Sequence, residues 1–319
     1  MSRVQEAARE RARSGPMHAL RVLREGEGLI KLARSAKDYA RAFRNPLRVA
    51  LHVGLGLFPV TVSPRERDIA VCCYDVDQLY LASKGFSFEF RPDASVLEFV
   101  HRGRPLKFAV PPYGDFLGVF GRQDYSSLDV VGKTVIDVGA NVGDSSVYFA
   151  ISGAKRVVAI EPNFAPEART NAQLNHLSNI EVREAIISGS NLGQARVSRH
   201  RTNLDSQVRF ASEGELVDIV TLDGLSRDLE GEQSILKMDC EGCEYAAILD
   251  SSNIALRRFA QMAIEYHHGA LPIVQKLEAA GFSVRATGPH QVLNYSFENP
   301  RLSTGMIFAD REPCELEGD

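Results

Sequence analysis

The sequence has no tryptophan and only five cysteines in 319 residues. An odd number of cysteines in so long a chain argues against a secreted disulfide scaffold. Cys240 and Cys243 make one Cys-x-x-Cys spacing, and no second such pair exists to complete a zinc site. A thioredoxin-type context is also missing, so the two read as small, partly buried thiols, with a redox pair as the other reading. No apolar run is long enough to span a bilayer: the stretch near Val49–Val62 is broken by His52 and by glycines. No secretory leader is visible, and Glu6 and Glu10 are foreign to an acid-poor transit sequence. A cytoplasmic chain is the plain expectation.

Two common nucleotide fingerprints are absent as well. The stretch Val135-Ile136-Asp137-Val138-Gly139-Ala140-Asn141-Val142-Gly143-Asp144-Ser145 begins as a β-branched run, which predicts a buried strand. It continues as a turn with two glycines and then a helix over Ser145–Ser152, the layout of a nucleotide cradle. A dinucleotide motif would need glycine at positions 141 and 144, where Asn141 and Asp144 stand, and the Gly-Lys-Ser/Thr of a phosphate loop is missing. An acid, Asp137, occupies the strand tip instead. A carboxylate there repels a pyrophosphate and attracts an ammonium or a sulfonium. S-adenosylmethionine (SAM) carries both cations and no phosphate. Asp137, Gly139, Ala140, Asn141, Gly143 and Asp144 are therefore assigned to SAM, a pair of packing glycines being the bland alternative.

The next strand, Arg156–Ile160, ends in Glu161-Pro162, and Glu161 lies 22 positions beyond Gly139. An acid at that distance accepts hydrogen bonds from ribose hydroxyls; it could also cap the helix that follows Pro162. The strand expected over Ile180–Ile187 brings Ala185 and Ile186 beside the pocket, where adenine is met by backbone and apolar contacts.

Charge is unevenly divided. Residues 1–130 hold 20 Lys/Arg and 15 Asp/Glu (net +5), whereas residues 131–319 hold 17 and 26 (net −9). The basic half is the side expected to meet an anionic partner. Residues 1–45 are predicted helical, with Leu29, Leu32, Ala33, Ala36, Ala40 and Phe43 on one face and Lys31, Arg34, Lys37, Arg41 and Arg44 around it. That helix reads as docked with a solvated basic face, as an RNA- or membrane-facing surface, or as a dimer arm. Residues 61–130 form a β-rich cap and linker: strands at Phe86–Phe90, Val96–Val100 and Leu106–Val110, a turn at His101–Arg104, and a helical piece from Tyr113 to Arg122. Tyr125 reads as a core tyrosine or as a border of the ligand site.

From residue 131 strands and helices alternate, predicting a doubly wound, mostly parallel seven-stranded α/β sheet preceded by the N-terminal helical segment (1–60) and the cap. Residues 195–210 are expected to be an inserted hairpin. The second chemical stretch is Ile235-Leu236-Lys237-Met238-Asp239-Cys240-Glu241-Gly242-Cys243-Glu244. Strand alternation would put Lys237, Asp239 and Glu241 on one side, at the sheet's carboxyl edge. A further strand, Phe259–Ile264, ends in Glu265-Tyr266-His267.

Lys-x-Asp-x-Glu-Gly-x-Glu at 237–244, together with Val135–Asp144, Glu161-Pro162, Asp124-Tyr125 and Glu265-Tyr266-His267, resembles the FkbM-type methyltransferases over roughly residues 80–285. The resemblance implies a Rossmann-like, SAM-dependent enzyme, most often an O-methyltransferase. Aliphatic or small residues usual in that family are replaced here by Cys240 and Cys243. A hydroxyl acceptor must lose its proton as it attacks. Asp239 is the first candidate base, Glu241 the second, with Lys237 holding the carboxylates. Glu265 and His267 join them on the neighbouring strand end, His267 either as a base or as a ligand with Asp239 and Glu241 for a Mg2+-type ion. One histidine among carboxylates does not by itself establish a metal, and none is assigned at this stage. The expected acceptor is a small molecule or glycan. RNA is the rival acceptor, although Asp239-Cys240-Glu241-Gly242 is not the Asn/Asp-Pro-Pro-Tyr/Phe signature of amine methylation; a SAM-binding protein without turnover is the third reading.

Overall fold

The computed structural model describes residues 39–54, 57, 60–65, 71–73, 79, 82–83, 87–90, 95–109, 115–190, 193–199, 208–210, 214–229, 234–291 and 303–311. The chain divides into two compact units, Met1–Pro111 and Pro112–Asp319.

In the first unit, residues 39–42 are helical and α1 runs over Pro46–Gly54. Most of the amphipathic N-terminal face read from sequence, Leu29 to Ala36, lies outside the described residues. Of its last members Phe43 packs and Ala40 is exposed: Phe43 is buried with Tyr39 and Val49 and with Val60 and Val62 of β1 (Val60–Val62). That strand pairs antiparallel with β2 (Val71–Cys73). A three-stranded meander follows, β3 (Ser87–Phe90), β4 (Ser95–His101) and β5 (Arg104–Ala109). The β4–β5 turn is tighter than the four residues expected. His101 pairs with Arg104, and only Arg102 and Gly103 turn, both at positive φ (49° and 79°). Two left-handed residues give the turn whose twist matches that of the strands.

Of the helix expected over Tyr113–Arg122 in the second unit, residues 113–114 lie outside the described residues, and Leu117–Arg122 is a π-helical turn. The unit's main sheet contains β6 (Thr134–Val138), β7 (Arg156–Ile160), β8 (Ile180–Arg183), β13 (Ser234–Met238), β14 (Phe259–Tyr266), β15 (Ser283–Ala286) and β17 (Ser303–Asp310). The spatial order is β8-β7-β6-β13-β14-β17-β15, with β17 antiparallel to both its neighbours and the rest parallel; the two-residue β16 (His290–Gln291) hangs on β17. The expected seven-stranded, mostly parallel sheet is therefore present. Helices α2 (Asp144–Ile151), α3 (Ala165–Leu174), α4 (Leu222–Arg227), α5 (Glu244–Leu249), α6 (Asn253–Leu256) and α7 (Leu271–Ala279) provide the crossovers.

β6 and β13 are buried at every position, as central parallel strands covered on both faces must be. Because β6 has β7 on one side and β13 on the other, the order reverses there, and the carboxyl ends of β6 and β13 open the crevice where such sheets bind ligands. The single strand expected over Ile180–Ile187 is broken at Glu184. Its second half, β9 (Ala185–Ile187), leaves the main sheet and pairs parallel with β12 (Glu215–Val220). β12 also pairs with the inserted hairpin β10 (Gln194–Arg199) and β11 (Val208–Phe210); the hairpin tip lies outside the described residues. Among the described residues, no helix is long and apolar enough to cross a membrane.

Candidate active site

The two chemical stretches meet at the switch point. The Asp239 amide donates to the Val138 carbonyl (3.0 Å), so the turn after β6 and the turn after β13 lie against each other. Gly139 sits at φ 71°, and a Cβ there would stand 1.7 Å from the Asp239 carbonyl oxygen. That glycine is required by the backbone of the second motif itself. Gly143 (φ 84°) performs the same service for α3, since its Cβ would press on Ala168 at 3.1 Å. The bland reading of the glycines as a packing pair is thus physically realised, whatever ligand they also admit.

Asp137 is fully buried. One carboxylate oxygen accepts hydrogen bonds from Ser145 Oγ (2.7 Å) and Ser146 Oγ (2.6 Å), which rise from the first turn of α2. The other faces Lys237 Nζ at 3.2 Å. Lys237, equally buried, also donates to the Gly139 carbonyl (2.9 Å) and to that of Val138 (3.3 Å). Burial works against its charge, but Asp137, Asp239 and Asp144 outweigh it and hold the ammonium above its usual range. The Lys237 Nζ lies 5.8 Å from the Tyr125 ring, and Tyr125 is buried with its ring 5.6 Å from that of Phe149. Burial, followed by the nearby acids, raises its phenol far above the ordinary range, so it stays neutral.

Glu161 holds the turn before α3, whose N-cap Phe164 has no side-chain cap. It accepts from the Asn163 (2.7 Å) and Phe164 (3.1 Å) amides ahead of the helix, and from the Asn141 amide (2.8 Å) of the turn after β6. Pro162 is half-buried beside it, and Ala140 is fully buried, its carbonyl accepting from the Gly143 amide at 2.7 Å. Ala185 and Ile186 are also buried: Ala185 joins the main core, and Ile186 packs on Val217.

Asp144, first residue of α2, is buried, and burial chiefly pushes its carboxyl up to about 7. A carboxyl whose folded pKa exceeds its unfolded value of 3.8 binds more protons in the folded state between those values. Its contribution to stability is complete below about pH 3.8 and is lost as pH rises through about 7. Asp144→Asn is expected to flatten that fall, measured as melting temperature against pH.

The reacting edge departs from the alternation expected. β13 ends at Met238, so Asp239 and Glu241 lie in a turn in which Glu241 is left-handed (φ 58°) and Gly242 follows at φ 113°. The side chains converge all the same, because Glu244 ties the turn to the end of β14. This fully buried residue accepts from the Gly242 amide (2.9 Å) through one oxygen. Through the other it accepts from the His267 amide (3.1 Å) and meets His267 Nδ1 at 2.9 Å. His267 Nε2 is thereby aimed at Glu241 Oε2 (3.4 Å) and Asp239 Oδ1 (3.9 Å). Burial depresses the His267 pKa, but the Glu244 hydrogen bond and the charges of Glu244, Asp239 and Glu241 raise it to about 9. Half-buried Glu265 is pushed up to about 8, by burial first and then by Asp239, which favours its protonated form at neutral pH.

Sequence reasoning gave no role to Glu244, Ser145 or Ser146. The signal for Glu244 was a lone carboxylate opening the apolar helix Tyr245–Leu249. The serines follow a buried acid at positions that one helical turn brings back to it.

Cys240 and Cys243 are joined by a disulfide, Cα atoms 5.5 Å apart, and not the separate thiols expected. The Cys-x-x-Cys turn folds back on itself, which brings the two side chains within bonding reach. Closing so short a loop restrains the unfolded chain by about 2 kcal/mol. Cys240→Ser should therefore lower the melting temperature by roughly 4–8 °C, and dithiothreitol should do the same to the unaltered chain but not to the variant.

A sequence search found no match among curated proteins. Residues 137–284 match the family model of the methyltransferase FkbM domain. Among solved structures, the fold is similar to that of EvdMO1 (12% identity, 70% of this chain and 45% of that one, TM-score 0.37). It is similar also to a Streptococcus mutans protein provisionally assigned as a SAM-dependent methyltransferase (10% identity, 83% and 65%, TM-score 0.42). A third is a precorrin-6y C5,15-methyltransferase from Geobacter metallireducens (16% identity, 63% and 100%, TM-score 0.36). The chain spans less than two thirds of the length of the first two. The spacing that runs from Asp137 through Glu161 to Lys237–Glu244 and His267 lies wholly within the matched segment, so that residues 137–284 are similar to the methyltransferase FkbM domain.

Proposed function

We propose that this chain is a SAM-dependent methyltransferase that methylates a hydroxyl group of a small molecule or sugar, and that Asp239 receives the hydroxyl proton, with Glu241 as the alternative acceptor. The O–CH3 bond forms as the S–CH3 bond breaks, its electron pair passing to sulfur. The carbon is already activated by the sulfonium, so the protein's work is alignment and proton removal. The observation that carries this reading is the meeting of Asp239, Glu241 and His267 at the carboxyl ends of β13 and β14. Asp239 and Glu241 keep solvent-facing surface, 29% and 42% of their side chains, whereas His267 keeps 5%. Carboxylates open on one side and fixed from beneath suit an incoming hydroxyl.

Gly139 to Asp144, Glu161 and Pro162, with Asp137, Ala185 and Ile186 behind them, are in this reading the SAM side of the crevice. Lys237 positions Asp137, and Glu265 donates a hydrogen bond to the acceptor. A cytoplasmic setting and a 131–319 catalytic domain belong to the same proposal. The test is transfer of radiolabelled methyl from SAM into fractionated cell extract. Label in small molecules or glycans, in a hydroxyl-derived ether, is the expected result; label in RNA or on nitrogen or carbon would overturn it.

A further inference from the structure

We propose that Asp239, Glu241 and His267 form a binding site for one divalent cation of the Mg2+/Mn2+ class. The inference rests on the hydroxyl-methylation reading for its purpose, but on its own geometry for its existence. One ligand atom from each of the three residues lies within 4.8 Å of the others. Around an ion with bonds of about 2.1 Å, neighbouring ligands stand about 3.0 Å apart and opposite ones about 4.2 Å. The separations from His267 Nε2, 3.4 and 3.9 Å, fall between those limits.

The histidine is prepared as a ligand. Its ring is 5% exposed, and Nδ1 is engaged at 2.9 Å by Glu244, a carboxylate with no exposure at all. A carboxylate on the far nitrogen fixes the ring's direction and raises the basicity of the other nitrogen, as outer partners of metal-bound imidazoles do. Glu244 also holds the turn that bears Glu241, through the Gly242 amide. One buried side chain thus orients two of the three ligands. The donor chemistry then selects the ion. Cys240 and Cys243 are bonded to each other, which leaves two carboxylates and one imidazole and disfavours thiophilic metals. Neighbouring Asp115 and Asp137 add negative potential, which Lys237 and Arg122 offset in part. The partly exposed faces of Asp239 and Glu241 leave positions for water and for an acceptor oxygen. A hydroxyl beside the cation would be more acidic, and its proton passes to the Asp239 oxygen that does not hold the ion as the hydroxyl oxygen attacks the methyl carbon and the S–CH3 electron pair leaves with sulfur.

Mn2+ alone, added to the full chain without acceptor, is the probe, followed by calorimetry and by loss of the free-ion paramagnetic resonance signal. One Mn2+ per chain is expected, displaced by excess Mg2+. Asp239→Asn and Glu241→Gln should each weaken it at least tenfold while SAM binding and the melting curve stay within error. Glu244→Gln, a positioning change, should weaken Mn2+ by about 10- to 100-fold. No stoichiometric Mn2+ on a chain that binds SAM, or unchanged affinity in Asp239→Asn, would overturn the site and leave the methyltransferase reading intact. Mn2+ bound as expected, with label found away from hydroxyl groups, would instead overturn the acceptor assignment alone.

Discussion

Asp239→Asn is expected to lower methyl transfer by about 100- to 10,000-fold, the range over which a positioned acid–base group contributes. Asparagine keeps the size of the side chain and removes both its negative charge and its capacity to accept a proton. Asp239 lies beyond the end of β13, held through its backbone amide by Val138, so the substitution leaves the sheet register alone. The loss should appear in kcat with the SAM dissociation constant nearly unchanged, since the proposed cofactor side of the crevice is built from the turn after β6. Glu241→Gln should cost less, its side chain being the more exposed of the two. Equal turnover of Asp239→Asn and the unaltered enzyme in a single-turnover assay would remove Asp239 from the mechanism.

The second large effect is on stability. Lys237→Met should destabilise the Pro112–Asp319 unit by about 3–5 kcal/mol, because it strands the fully buried Asp137 carboxylate. Ser145 and Ser146 satisfy one oxygen of Asp137, but the other has no hydrogen-bond donor and faces only the Lys237 ammonium. Removing both charges is a different matter. The Lys237→Met, Asp137→Asn double variant should recover much of the loss, since the penalty comes from an uncompensated charge and not from the missing attraction. Denaturant melts of the four forms give the coupling directly. Additive losses would mean that the two residues act independently, against the contact seen between them.

Most of this molecule's architecture could be read from its residues. Apart from Asp137 and Lys237, the runs Val135–Val138, Val157–Ile160 and Ile235–Met238 are apolar on both faces, which only a covered parallel sheet accommodates, and they form adjacent strands. Period and composition also located the hairpin at β10–β11, because alternation and turn residues are local properties. Asp137, Glu161, Lys237, Asp239, Glu241 and His267 were all named from motif spacing.

What those side chains do to one another was decided by the tertiary structure. Asp137 looked like a ligand-facing acid, yet it is enclosed by Lys237 and two serines, a relation that spans 100 positions between Asp137 and Lys237 and depends on β6 lying beside β13. Glu241 was placed beside Asp239 by a strand alternation that has already ended, and it reaches the same place through a left-handed turn pinned by Glu244. No local pattern could show that Glu244, 23 positions before His267, would carry that histidine. The sequence by itself determined the layers and named the candidate cofactor and candidate reactive groups, since these follow from periodicity and short spacings. The pairing of buried charges, the bonded cysteines and the three-residue donor set required the chain to be folded, because each depends on strand ends that meet only across the switch point of the sheet.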